Sequence, residues 1–428
     1  MGGPHGARRG PAAPPPWRLI PSHRAARMTY IESPREPLRP VVEDPSALES
    51  CLEALASATG PVAFDTERAH GHRYWPKAYL LQIRREGAGT WLVDPVAFER
   101  GGPADLSSLV TACGDAPWII HAASQDLPCM REISVLPPSI IDTELAARLL
   151  GKPGASLGAL LAAELGVHLR KAHSADNWSK RPLPPSWLTY AALDVDYLLE
   201  LAERLQDELQ EVGRAEWADQ EFADTLARHT APPQPRVDPW RRLSGITTLR
   251  TPRQYAVARA LWTARDAIAQ RRDRPPGWIL PDAAILEAAS LARDSVPTKS
   301  ELLRIKGFAA PPGSRNLSTW LAALDEVRAL PASGYPPPRL RSDGVPHPRT
   351  WDRVNPEAAE RWAKVRPVID ELACDLGGLQ PSLVAPPVAV QGSLFASADV
   401  THEDLLALGA RPWQADFLVP LIREALGR

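Results

Sequence analysis

The sequence predicts an α/β domain with a mixed sheet, followed by all-α helical domains. Within residues 38–230, short apolar runs typical of strands come first and then alternate with helix-length periodic segments. A proline-rich segment follows at 231–235, and the periodic segments beyond it are all helical in length. A second segment rich in Pro and Gly, 329–348, separates two such helical regions.

We therefore expect three domains, since 428 residues exceed one ordinary core and a domain averages about 150 residues. The expected boundaries are 1–37 for a disordered N-terminal extension, 38–230 for the α/β domain, 236–328 for the first helical domain, 329–348 for a linker and 349–428 for the second helical domain. The extension is rich in Pro, Gly and Arg and resembles neither a secretory signal nor a helix. Translation starts at Met1 or at Met28.

The α/β domain begins with an amphipathic helix over 45–58, for which Ser46 is the candidate N-cap. Five apolar runs predict strands, at 61–67, 78–84, 90–94, 118–121 and 140–142. Helical sequence follows the last two strands, from Ser124 and over 143–150, and one long helix is expected over 185–212.

Charge is distributed unevenly along the chain, although the net charge is only −2. Residues 236–328 carry 16 basic and 9 acidic side chains, and residues 1–36 carry 6 and 2, so the remainder is acidic. This asymmetry suits a nucleic-acid-binding domain beside a carboxylate-rich catalytic domain, the alternative being a chance imbalance of solvated faces.

Two classes of protein are excluded by composition. The four cysteines are scattered without a Cys-x-x-Cys motif, which argues against a disulfide framework or a zinc site and fits a reducing cytoplasm. No window approaches the roughly 18 uninterrupted apolar residues of a membrane span.

Three short acidic motifs carry the candidate chemistry, at 64–67 (FDTE), 121–126 (HAASQD) and 190–194 (YAALD). Asp65 and Glu67 lie two apart on a predicted strand, so their side chains point the same way and repel unless a cation lies between them. Oxygen ligands of this kind suit Mg²⁺, and two such ions can serve an in-line phosphodiester displacement.

The other two motifs are ambiguous when each is taken alone. Asp126 begins a predicted helix, where a carboxylate also interacts favourably with the helix dipole. Tyr190 and Asp194 are four apart and share a helix face, so the phenol could position an attacking water beside a carboxylate.

Taken together, the motifs resemble those of the ribonuclease D family, in the DEDD exonuclease superfamily on the RNase H-like fold. His121 and Gln125 flank Asp126, and a tyrosine instead of a histidine in the third motif is typical of the DEDDy branch. Further similar strings occur at 79–83, 92–95, 141–143 and 176–183.

The resemblance implies a site that binds two divalent metal ions, Mg²⁺ or Mn²⁺. The implied ligands are the four acidic side chains Asp65, Glu67, Asp126 and Asp194, and Tyr190 would orient the attacking water. Nearby candidates for substrate contacts, each with a purely structural alternative, are Gln82, His121, Gln125, Lys171 and Arg181.

The first helical domain resembles the HRDC module, an accessory that binds nucleic acid. The similar segments are 240–243, 261–266, 279–282 and 306–308. The last domain resembles a degenerate second copy of the same module, through segments 383–386, 405–408 and 411–414.

These resemblances imply a cytoplasmic 3′→5′ exoribonuclease that releases 5′-mononucleotides from structured RNA. The expected partners are single-stranded RNA 3′ ends, such as those of tRNA precursors; no membrane contact is expected, and a monomer is favoured. The alternatives are a 3′→5′ DNA exonuclease, which would use the same four carboxylates, and a nucleic-acid-binding scaffold with a vestigial site.

Overall fold

The computed structural model describes residues 30–170, 173, 175–232, 234, 236–339 and 344–428. Most of the predicted extension and parts of both predicted linkers therefore lie outside the described residues. The described strands are β1 (Tyr30–Ile31), β2 (Val62–Arg68), β3 (Ala78–Arg85), β4 (Gly89–Val93), β5 (Trp118–Ile120), β6 (Ile140–Asp142) and β7 (His168–Leu169).

The described α-helices of the first domain are α1 (Pro45–Ser57), α2 (Ser107–Cys113), α3 (Leu127–Arg131), α4 (Thr143–Leu149), α5 (Leu157–Leu160), α6 (Pro185–Asp196), α7 (Leu198–Glu211) and α8 (Ala215–Thr230). Those of the remaining chain are α9 (Pro252–Arg272), α10 (Pro276–Ile279), α11 (Asp282–Leu291), α12 (Lys299–Leu302), α13 (Lys306–Ala309), α14 (Pro311–Ser314), α15 (Leu317–Ala329), α16 (Trp351–Val354), α17 (Pro356–Asp375), α18 (Pro381–Val384), α19 (Pro387–Ala396), α20 (His402–Ala407) and α21 (Pro412–Ala425).

The five predicted strands form one mixed sheet in the order β4-β3-β2-β5-β6. Strand β3 pairs antiparallel with both β2 and β4, whereas β5 pairs parallel with β2 and with β6. The predicted mixed-sheet α/β class is thereby confirmed. Strands β1 and β7 form a separate two-stranded parallel pair that the sequence analysis did not predict.

Strand β2 is the centre of this sheet and ends in the first acidic motif. Phe64 is completely buried and stacks on Trp118 of the neighbouring strand, with ring centroids 4.6 Å apart. The register places Asp65 directly opposite Gln82 of β3. A shift in register between Glu67 and Arg68 then marks the end of regular pairing.

Two details of the predicted helices are wrong. The N-cap of α1 is Asp44 instead of Ser46, because the Asp44 carboxylate accepts the backbone N–H groups of Ser46 and Ala47 at 2.9 and 3.0 Å. The single helix expected over 185–212 is divided into α6 and α7 at Tyr197, where φ is −117° and ψ is 8°.

The division at Tyr197 coincides with tertiary contacts from distant residues. The preceding carboxylate, Asp196, accepts the backbone N–H of Arg35 at 2.9 Å and lies 3.6 Å from the guanidinium of Arg84. The guanidinium of Arg35 lies 3.9 Å from the centroid of the Tyr197 ring. Helical periodicity alone does not reveal such contacts.

The helical regions have buried clusters of their own. Trp240, Phe308 and Trp320 lie in the cluster that α9, α11 and α15 enclose. A further cluster extends from Val365 in α17 to Ile422 in α21.

Polar contacts join both helical regions to the α/β domain. Glu221 in α8 accepts hydrogen bonds from Arg411, Trp413 and Gln414 of the last region. The indole of Trp413 also stacks on Trp217 at 4.5 Å. In the part of the chain that the structure describes, no helix is long and apolar enough to cross a bilayer.

Candidate active site

Three carboxylates converge where β2 meets α6. Strand alternation places Asp65 and Glu67 on the same side of β2, and Asp194 faces them from α6. One carboxylate oxygen from each of these residues lies within 4.8 Å of the other two. The predicted shared orientation of the pair at 65 and 67 is confirmed.

The electrostatic state of this cluster fits a divalent metal site. Desolvation, together with the neighbouring carboxylates, raises the pKa of Glu67 to about 10 and holds the pKa of Asp65 well above its ordinary value. Desolvation raises the pKa of Asp194 to about 7. Carboxylates crowded in this way repel one another when ionised, and a bound cation relieves that repulsion. The oxygen-only donor set is the one that hard divalent cations prefer.

Asp126 lines the same cavity but is held apart from the three-carboxylate cluster. Its Oδ1 accepts a hydrogen bond of 2.6 Å from the Thr66 hydroxyl and lies 3.6 Å from the guanidinium of Arg68. Although Asp126 occupies the N-cap position of α3, its side chain makes no capping hydrogen bond. Burial raises the pKa of its carboxyl to about 6 despite the opposing effects of Arg68 and Thr66.

The turn that carries Asp126 is fixed by another buried acid. Asp142 accepts the backbone N–H groups of Ala122 and Ala123 at 3.0 and 2.9 Å, and it also caps α4. Ala122 adopts a left-handed conformation with φ of 59°. Asp142, the last residue of β6, thus determines the course of the loop that leads from β5 to Asp126.

Tyr190 lies one helical turn before Asp194, and both side chains line the cavity from the same helix. Burial and the adjacent carboxylates raise the pKa of this phenol, so it remains protonated at neutral pH. Its ring is flanked by His173 and Trp178, at centroid distances of 5.8 and 6.5 Å. Trp178 is completely buried.

Two of the five candidate substrate contacts line the cavity, which has a volume of about 400 Å³. These are His121 and Gln125, which lie beside Asp65, Asp126 and Asp194. The imidazole of His121 shares a 2.9 Å hydrogen bond with the hydroxyl of Thr143. Burial lowers the pKa of His121 to about 4, so its side chain is neutral at physiological pH.

Two other candidates do not line the cavity. Gln82 is completely buried in the central sheet directly opposite Asp65, and its side-chain amide has no hydrogen-bond partner there. Arg181 forms a two-pronged ion pair with Asp94 at 2.5 and 2.6 Å and donates to the backbone carbonyl of Tyr79. Its guanidinium is used to anchor its loop to the sheet. Lys171 lies outside the described residues.

The sequence analysis missed Thr66 and Arg68. Thr66 is the middle residue of the first motif, and its hydroxyl supports Asp126 from across the strand. Arg68 lines the cavity and donates to the backbone carbonyl of Gln125. The available signal was the position of both residues within or next to an acidic motif on a strand.

Comparison with protein families assigns each region. Residues 40–210 match the 3′-5′ exonuclease family, and residues 254–324 match the HRDC domain. Residues 344–426 match a family described as the 3′ to 5′ exonuclease C-terminal domain. The relation of that last region to a second HRDC copy stays a prediction.

Individual relatives agree with the family assignment. Ribonuclease D of Granulibacter bethesdensis is 31% identical over 294 residues, which cover 66% of this chain and 71% of that protein. A protein of Bifidobacterium adolescentis has a similar structure, with a TM-score of 0.84 and 32% identity over 93% of this chain and 99% of that one.

Escherichia coli RNase D, described as an exoribonuclease involved in structured RNA processing, has the same fold. The TM-score is 0.67 at 22% identity, and the match covers 91% of this chain and 99% of that one. The predicted exonuclease fold with its helical HRDC domain is thus confirmed. With the acidic cluster at the end of β2 and the match to curated ribonuclease D over two thirds of its length, this chain belongs to the ribonuclease D family.

Proposed function

We propose that this protein is a hydrolase that removes nucleotides from the 3′ end of RNA and releases 5′-mononucleotides. The observation that supports this most directly is the convergence of Asp65, Glu67 and Asp194 beside the Tyr190 hydroxyl. Family membership supports the same direction of degradation, since the matched domain is a 3′-5′ exonuclease.

Two divalent cations, Mg²⁺ or Mn²⁺, would bind to the four carboxylates and stabilise the charge that develops on the phosphate and on the leaving oxygen. Asp65, Glu67 and Asp194 would hold one side of the site, and Asp126 would complete it from the opposite wall. The protonated Tyr190, which lines the cavity together with Asp194, would orient the attacking water. His121 and Gln125 line the cavity on the side of Asp126 and would contact the terminal nucleotide.

RNA is the proposed substrate class because the curated relatives are named ribonuclease D. Precursors of transfer RNA are the proposed physiological substrates, and the enzyme is proposed to act as a cytoplasmic monomer. The basic 236–328 region would hold the RNA body, since Lys and Arg neutralise phosphates with little sequence preference.

A test of the site compares Asp65→Asn with the parent in a trimming assay on a labelled RNA that has a free 3′ end. We expect the variant to lose at least about a thousandfold in kcat, because a ligand to the reacting centre is removed. The matched control is Asp219→Asn, which changes an exposed carboxylate on α8 and should leave the rate unchanged.

The same assay separates the alternatives. Faster release from a DNA oligonucleotide of matched sequence would favour a DNA exonuclease. A parent protein that releases nothing with Mg²⁺ or Mn²⁺ would favour a scaffold. Unchanged trimming by Asp65→Asn would exclude the proposed site.

A further inference from the structure

Two large aromatic side chains are exposed near the boundary between the α/β domain and the first helical region. Trp75, in the loop after β2, is 53% exposed, and Trp278, in α10, is 52% exposed. They are the only two tryptophans among the exposed large apolar side chains of the described residues. One half-exposed indole therefore lies on each side of the domain boundary, and each has an apolar face available for a ligand.

Hydrogen bonds, together with packing of the Tyr74 ring on the first helical region, hold this boundary together. The carboxylate of Asp273 accepts the backbone N–H groups of Tyr74 and Trp75 at 3.0 and 3.2 Å. The hydroxyl of Tyr74 donates to Asp266 at 3.0 Å. These bonds fix the backbone of Trp75 against the end of α9 and leave its ring outside.

Basic side chains predominate on the exposed surface at the end of α9. Asp266 and Asp273 are the nearby acids at the end of α9, and both are engaged by the 69–77 loop. The exposed side chains that remain there include Arg271 and Arg274. The guanidinium of Arg274 lies 5.9 Å from the centroid of the Trp278 ring. Surfaces that combine basic side chains with exposed aromatic rings bind single-stranded nucleic acid.

A series of contacts also links this surface to the candidate active site. The His72 ring lies edge-on to Trp278 at 6.1 Å, and its Nε2 lies 3.2 Å from the backbone carbonyl of Ala175. Two residues before Ala175, the His173 ring contacts the ring of Tyr190 at 5.8 Å. A chain of adjacent groups therefore leads from the exposed indole to the residue proposed to orient the water.

We propose that Trp75 and Trp278 form a stacking platform for unpaired bases of the RNA strand upstream of its 3′ end. The platform rests on the proposed exoribonuclease function and specifies where the strand runs. Arg271 and Arg274 contact the phosphates of the same nucleotides. Bases stack on the two indoles without sequence preference, because every base has a π face.

The test measures binding of the full-length protein, with Mg²⁺ present, to RNAs whose terminal linkages are cleavage-resistant phosphorothioates. One RNA has about three nucleotides and the other about twelve, which spans the usual site sizes of such surfaces. A third has the longer length but carries abasic sugars at its upstream positions. Fluorescence anisotropy gives the Kd of each for the parent, Trp278→Ala, Trp75→Ala and Trp278→Phe.

We expect each alanine variant to weaken binding of the longer RNA by roughly tenfold and to leave the shortest RNA unaffected. Trp278→Phe should retain most of the affinity, since a ring is still present. On the abasic RNA the alanine variants and the parent should bind equally. The matched control, Val388→Ala, truncates an exposed apolar side chain in α19, and its Kd should equal that of the parent.

Equal affinity of the parent and both alanine variants for the longer RNA, while the parent still trims RNA, would overturn the platform alone. That result would assign the indoles to a protein partner. An equal loss of affinity of the alanine variants for the shortest RNA or for the abasic RNA would also overturn the platform. Base stacking upstream of the 3′ end predicts no loss of affinity for either RNA. A parent that neither trims nor binds RNA would overturn the proposed function together with the platform.

Discussion

The hydroxyl of Thr66 donates a 2.6 Å hydrogen bond to Oδ1 of Asp126, and both side chains are buried. Thr66 lies between Asp65 and Glu67 on β2, so its side chain points to the opposite side of the strand. Three consecutive residues of β2 therefore contribute to the site. Asp65 and Glu67 supply carboxylates of the cluster, and Thr66 positions Asp126, which lines the same cavity as Asp65.

Thr66→Val removes this hydrogen bond and preserves the shape of the side chain. We expect kcat/KM for RNA trimming to fall about tenfold, because Asp126 loses a donor and the valine cannot replace it. Thr66→Ser should retain most of the activity, since the hydroxyl remains. Equal rates for Thr66→Val and the parent would show that Asp126 is positioned without Thr66.

Arg68→Leu removes the cation that lies 3.6 Å from Asp126. Burial already raises the pKa of Asp126 to about 6, and Arg68 opposes that rise. The variant should therefore have a still higher pKa at this carboxyl, and the acidic limb of the pH–rate profile should move to higher pH. A profile that keeps its position, or moves to lower pH, would contradict the assigned contact.

Metal-free protein should lose stability as the pH rises. A carboxyl whose pKa is higher in the folded than in the unfolded protein holds its proton more tightly when folded, so its contribution is present at low pH and is lost as the pH passes the folded value. The relevant values are about 7 for Asp194 and about 10 for Glu67. In a chelating buffer, Tm should fall progressively from about pH 4, near the ordinary pKa of a carboxyl group, to about pH 10.

Excess Mg²⁺ should remove most of that fall, because bound metal stabilises the ionised carboxylates. Thermal unfolding with and without Mg²⁺ across this range measures both effects. Asp194→Asn eliminates one titrating group and should show a smaller fall in the chelating buffer. A Tm that rises with pH in the absence of metal would be the opposite of the expected sign.

Tyr190→Phe should lower kcat about a hundredfold, within the range expected when a group that assists proton transfer is removed. The change removes only the phenolic hydroxyl and leaves the four carboxylates in place, so KM and the Mg²⁺-dependent shift in Tm should stay close to those of the parent. Single-turnover trimming measures the chemical step. A change in KM alone would assign Tyr190 to substrate binding.

Glu221→Ala tests the attachment of the last helical region. Glu221 is 2% exposed and accepts a 2.6 Å bond from Arg411, whose guanidinium would be left without its main partner. We expect the free energy of unfolding to fall by about 3–5 kcal/mol, as when one member of a buried ion pair is removed. Urea denaturation measures the loss, and Glu216→Ala, an exposed acid on the same helix, is the control. A loss below about 1 kcal/mol would show that the attachment does not depend on this ion pair.

The sequence sufficed for the sheet and for much of the site. The apolar runs that predicted the five strands are mostly buried in the structure, and residue alternation alone placed Asp65 and Glu67 on one side of β2. The four-residue spacing of Tyr190 and Asp194 correctly indicated a shared helix face. Sequence patterns predicted the structure correctly wherever the interaction that determines it joins residues close together in the sequence.

Failures occurred where a distant residue decides the outcome. The break at Tyr197 coincides with contacts from residues 35 and 84, which no helical pattern contains. Arg181 was a candidate phosphate contact because it is a cation near the third motif, but its partner is Asp94, 87 positions away. The burial of Gln82 was not foreseen because it depends on strand order, which a single strand does not reveal.

The hydrogen bonds of Asp142 affect how mutational surveys of this enzyme should be interpreted. This acid lies outside the metal cluster, yet the loop that presents Asp126 depends on its two bonds to residues 122 and 123. A screen that ranks acidic residues by lost activity would therefore identify five essential carboxylates. Titration of the Asp142→Asn protein with metal would show an unchanged number of bound ions. This result would distinguish the acid that shapes the loop from those that bind the ions.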